Sequence, residues 1–131
     1  MNLEKEKLKN KFINSLQSIL EKIDLESIDN ILDSRDSDLF STQWTKAWNK
    51  LDTQKINLET EREEIFKLIF RKTESDDLSA YITEDFELIA NYLKLEENNW
   101  VTSLCNSYFN EKIPEGKTKS SNKTLIELIN E

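Results

Sequence analysis

Apolar residues recur along this chain at intervals of three and four, the spacing of one face of a helix. The densest such stretch begins DDLSAYITEDF and ends at Pro114. Within it Phe86, Ile89, Ala90 and Leu93 form one stripe, and Trp100, Val101, Leu104, Cys105 and Tyr108 form another. Asn98 and Asn99 punctuate the two, and Pro114 excludes further helix. The stretch reads as a helical hairpin around which the rest of the chain packs. Asp76 and Asp77 can open its first helix, and Thr83 followed by Glu84 and Asp85 is a second start signal.

Elsewhere Leu3, Leu8, Phe12, Leu16, Ile19, Leu20 and Ile23 predict one amphipathic helix over 3–23, with Lys5, Lys7, Lys9 and Lys11 in its wet first half. Leu25, Ile28, Ile31 and Leu32 predict a short helix over 25–33, and the polar run 34–38 reads as a loop. Positions 44, 48, 51, 55, 58, 62, 65 and 69 then step alternately by four and three, which favours one long helix over 42–72. Lys55, Arg62 and the polar run 52–54 interrupt that seam, and Thr60 with Glu63 could form a capping box if the helix broke there. The hairpin helices are expected over 76–95 and 99–110. A short terminal helix over 123–130 should start at the Thr124–Glu127 capping box, and eight residues hold helical form only when docked.

Composition sharpens the class. One glycine and one proline in 131 residues leave little for β-hairpin turns or phosphate loops. The expectation is an all-α, single-domain helical bundle over 1–131, of about five to six helices with one long central helix. Residues 114–123 would be a polar linker before the last helix. Phe12, Leu16, Ile19, Leu20, Leu51, Leu58, Ile65, Ile69, Phe86, Ile89, Leu93, Val101, Leu104 and Cys105 are the expected core. Trp44 and Trp48 share a face with Leu51 and could be core or interface anchors.

Charge is uneven. The net charge is −8, from 18 basic and 26 acidic residues. Residues 24–38 hold six acids and one Arg, and residues 74–97 hold eight acids and one Lys, so these two stretches carry −12 against +4 elsewhere. Such a surface repels nucleic acid and anionic lipid and steers a basic protein towards it. Solubility and favourable charge at helix starts account for the same acids equally well.

Catalytic chemistry is thin. With no histidine, the Ser-His and Cys-His pairs and the Glu-x-x-His motif of di-iron bundles are excluded. Cys105 lies on an apolar stripe and reads as a packed hydrophobe. Gly116-Lys117-Thr118 echoes the end of a phosphate loop, but Glu111 stands where its first glycine belongs. Asp36-Ser37-Asp38 lacks the glycine turn and the distal Glu of a calcium loop. No catalytic residue, metal or cofactor is expected. The charged start MNLEKEKLKNK is unlike a signal peptide, no apolar run approaches the roughly 20 residues of a membrane span, and a cytoplasmic chain is expected.

The cadence Tyr81-Ile82-Thr83-Glu84-Asp85-Phe86-Glu87-Leu88-Ile89, followed by Trp100, Leu104, Tyr108 and Ile113-Pro114, resembles the C-terminal part of small α-helical bacterial immunity proteins. These belong to contact-dependent growth inhibition and related polymorphic toxin systems. The resemblance implies a cytoplasmic antidote that binds and blocks a toxin domain, often a basic nuclease. It carries over no binding residues. The acidic stretches point to Asp33, Asp36, Asp38, Asp76, Asp77, Glu84, Asp85 and Glu87 as exposed partner-binding candidates. The partner expected is a cognate, basic toxin domain, with neither nucleic acid nor membrane, the chain being a monomer alone and a heterodimer with the toxin. The other class open to this sequence is a helical adaptor acting through the apolar seam.

Overall fold

The computed structural model describes residues 3–51, 55–95, 98–116, 118 and 120–131, and among these it is all-α, without strands. Seven α-helices occur there: α1 (Leu3–Lys22), α2 (Ile28–Arg35), α3 (Asp38–Lys50), α4 (Glu59–Thr73), α5 (Asp76–Tyr92), α6 (Trp100–Phe109) and α7 (Leu125–Ile129). A 3-10 turn, Leu25–Ser27, leads into α2, with the Asp24 side chain accepting from the Glu26 N–H.

The seam over 44–69 does not become one long helix. α3 ends at Lys50, Leu51 is extended (φ −66°, ψ 134°), and α4 starts at Glu59, with residues 52–54 outside the described set. Both Leu51 and Leu58 are buried. A straight helix would drag Lys55 along the same buried seam, whereas the break leaves its side chain exposed over the Trp48 ring. The Thr60–Glu63 box does not form. Instead the Asn57 side chain accepts from the Glu59 N–H at 3.0 Å, and the Ile56 N–H donates to Asn91 Oδ1 at 2.9 Å.

The central helix is α5, which packs against α1, α2, α4 and α6. Its buried residues, from Leu78 and Ile82 through Phe86, Leu88, Ile89 and Tyr92, go round the helix rather than down one side, as expected of an element enclosed by neighbours. Ser75 caps it, accepting from the Leu78 N–H at 3.1 Å, while Asp76 and Asp77 complement the first turn. Thr83 starts no new helix: its hydroxyl donates to the Ser79 carbonyl at 2.6 Å and α5 runs straight through. Every residue of the expected core is buried. Phe12 of α1 joins two helices there, its ring centroid 5.3 Å from Phe86 and 4.6 Å from Tyr108.

Asn99 caps α6 through a capping box with Thr102. The helix stops before Pro114 is reached: Glu111 is left-handed (φ 62°), the Glu111 N–H donates to the Tyr108 carbonyl, and the Lys112 N–H donates to the Ser107 carbonyl. α7 starts at the Thr124–Glu127 capping box and buries Leu125, Leu128 and Ile129. Two of the α1 lysines hold its far end, Lys11 donating to the Leu128 carbonyl (2.6 Å) and Lys7 to Asn130 Oδ1 (2.8 Å). Lys5 and Lys9 pair with Glu61 and Glu64 of α4. The first half of α1 is therefore stitched to its neighbours rather than simply wet. Among the described residues no helix is long and apolar enough to cross a membrane.

Candidate partner-binding face

Asp85 is the correction that organises the site. It was expected on the surface, yet it is fully buried, because it lies on the α5 stripe that also carries Leu78, Ile82 and Ile89. A buried carboxylate is costly unless it is paired and hydrogen-bonded. Here three donors converge on it. Arg35 Nη2 of α2 lies 2.7 Å from Oδ1, Trp44 Nε1 of α3 donates to the same oxygen at 2.8 Å, and the Tyr108 hydroxyl of α6 donates to Oδ2 at 2.5 Å.

Arg35, placed by its sequence in a polar loop, is instead the last residue of α2 and is 5% exposed. Its Nη1 donates to the Pro114 carbonyl at 2.9 Å, and its guanidinium lies over the rings of Phe40 (4.5 Å) and Tyr81 (5.3 Å). Its Nε is the one buried side-chain polar atom without a hydrogen-bond partner among the described residues. Burial opposes the charge on Arg35, but the fields of Asp85 and Tyr108 outweigh it and raise its pKa further. Burial, with the charge of Asp85, likewise holds the Tyr108 phenol well above its ordinary value. Arg35 thus keeps its charge and the phenol stays a donor.

Above this buried cluster opens a cavity of about 170 Å³. Arg35 forms its inner wall, Phe40, Trp44 and Tyr81 are its aromatic sides, and Asp36 and Glu84 bring carboxylates to it. Asp36 accepts a hydrogen bond from the Tyr81 hydroxyl. That bond, partial burial and the charges of Asp36 and Asp77 push Tyr81 up to about 12. Glu84 is half-buried, and desolvation together with neighbouring Asp85 raises its carboxyl above the ordinary value.

The two acidic stretches therefore touch, at Asp36 of the α2–α3 corner and Tyr81 of α5. Of the candidates, Asp36 and Glu84 share the cavity, and Asp77 lies close enough to Tyr81 to shift it. Asp33 and Asp38 are exposed on the α2–α3 corner, and Asp76 is exposed at the start of α5. Glu87 points towards α4, its Oε1 3.8 Å from Arg62 Nη1. Glu96 and Glu97 fall outside the described residues. Arg35, Tyr81 and Tyr108 were not among the candidates, and Trp44 was read only as core or an interface anchor. The one available signal was an aspartate at position 85 in an otherwise apolar helical stripe, which asks for a buried cation.

Cys105 is fully buried and its thiol is pushed up by that burial, which leaves it unreactive. Among the described residues no group of three or more His, Cys, Asp or Glu is placed to hold a metal ion.

No curated protein matches the chain significantly. Residues 2–115, which include every member of the Asp85 cluster and the cavity but stop short of α7, match the family described as Immunity protein PIM1. A match of that extent, on an all-α fold whose acidic stretches meet at one face, places this chain in the PIM1 family of immunity proteins.

Proposed function

We propose that this immunity protein is a non-catalytic inhibitor that binds a cognate toxin domain directly, through the face where the α2–α3 corner meets α5. The toxin is a basic protein, a nuclease being the natural case, and the complex is a one-to-one heterodimer formed in the cytoplasm from a monomeric immunity protein. The observation that carries this reading is the convergence of Asp36, Asp77 and Glu84 around Tyr81, flanked by the exposed Asp33 and Asp38. Oriented acids beside half-buried aromatics suit a basic protein surface, since Trp and Tyr are enriched among residues that dominate binding energy. The apolar seam that would serve an adaptor is turned inward: Leu51, Leu58, Ile65 and Ile69 are all buried.

The test is co-expression with the product of the adjacent gene, asking whether a toxic product becomes harmless. The parent chain should protect cells, and the charge-reversed pairs Asp33→Lys with Asp38→Lys, and Asp36→Lys with Glu84→Lys, should protect poorly while their circular dichroism stays native. Full protection by both pairs would reduce the acidic face to a solubilising surface. Asp85 is left out of this series because its reversal would attack the core.

A further inference from the structure

We propose that the cavity between the α2–α3 corner and α5 is a socket for one cationic side chain of the toxin, an arginine or a lysine, which enters against Tyr81 and Trp44 and is held by Asp36 and Glu84. The inference rests on the toxin-binding reading above and names the chemistry of its anchor.

Size comes first. At about 170 Å³ the cavity is smaller than the roughly 300–1,000 Å³ of small-molecule sites, and it suits a single side chain. Charge comes second. Among the described residues the only cation lining it, Arg35, is matched by Asp85 beneath, so Asp36 and Glu84 give the opening excess negative charge. Arg62, the nearest other cation acting on Glu84, lies by Glu87. The third argument is the nature of the walls. Phe40 and Tyr81 already accept the Arg35 guanidinium on their faces, and aromatic rings beside carboxylates recognise cations by quadrupole and by charge together. A filled socket of this kind is where interface energy concentrates.

Two measurements test it. Acetyl-arginine-amide is titrated into the full chain while the Trp44 indole N–H resonance is followed, with acetyl-citrulline-amide as the uncharged control. Thr45, an exposed residue at the cavity, is replaced by Trp to fill it, and the toxin-binding rates of that variant are measured. The expected result is a saturable shift with the arginine probe alone, lost in Thr45→Trp and in Asp36→Asn with Glu84→Gln. The Thr45→Trp complex should also dissociate about tenfold faster with an unchanged association rate, since losing a well-packed anchor acts on the off-rate. If the probe gives no saturable shift, or if Thr45→Trp dissociates like the parent, the socket is overturned. Slow association of Asp33→Lys with Asp38→Lys would then still uphold toxin binding by the acidic face. If that pair also binds like the parent, both readings fall.

Discussion

Asp85 and Arg35 carry the largest single-residue stakes in the chain. Removing one partner of a buried ion pair leaves an uncompensated charge, so Arg35→Met should cost about 3–5 kcal/mol in urea unfolding. The double replacement Arg35→Met with Asp85→Leu should cost less than the Arg35 change alone, because it leaves no orphaned carboxylate. Glu84 behaves in the opposite sense. Its folded-state carboxyl is raised, first by desolvation and then by Asp85, so the folded chain holds that proton more tightly than the unfolded chain does. Ionisation at neutral pH therefore works against the fold, and the penalty is relieved as pH falls through the raised value. Glu84→Gln should have a higher melting temperature than the parent at neutral pH. Its advantage should fade once both states of the parent are protonated, below the ordinary carboxylate range. A cost in stability at Glu84 fits the compromise usual at a functional surface, the role proposed for it.

At the scale of elements, the helices were legible because each is set by contacts three and four residues apart. The Thr124–Glu127 box and the stripe through Phe86, Ile89, Val101 and Leu104 appear where the spacing puts them. Leu104→Ala should cost about 2–5 kcal/mol, the usual penalty for a core cavity, read as a lower urea midpoint at unchanged slope. Helix ends were less legible. In a chain with a single glycine, α4 closes on Glu74 in the left-handed conformation (φ 56°), its N–H donating to the Phe70 carbonyl at 2.8 Å. Nothing local distinguishes that glutamate from its neighbours. Glu74→Gly should stabilise the chain by about 1 kcal/mol, because glycine takes a positive φ without the steric cost that Cβ adds. The break between α3 and α4 was hidden for a related reason: heptad spacing persisted across it, since Leu51, just past the end of α3, and Leu58, just before the start of α4, reach the same core.

For the whole molecule, the proposed association with a basic toxin should be steered by the acidic face and screened by salt. Exposed charges act over about 8 Å at physiological ionic strength, so the association rate should fall steeply between low and moderate salt while the dissociation rate changes little. Asp33→Lys with Asp38→Lys should flatten that dependence, measured by stopped-flow mixing. What the amino-acid order determined by itself is the all-α class, the helix faces that turn inward and the cap of the last helix, because side-chain period and capping chemistry operate within one or two turns. Packing alone decided that residues 24–38 and 74–97 share a surface, that Asp85 belongs to the core, and that Arg35, Trp44 and Tyr108 meet it from three other helices. Arg35 stands 50 residues from Asp85 and Trp44 stands 41 from it, separations at which no periodicity carries information. A charge in a helical stripe signals that it needs a partner, but only the docking of α2, α3 and α6 on α5 determines which side chains answer it, because a buried carboxylate takes its donors from whatever elements enclose it.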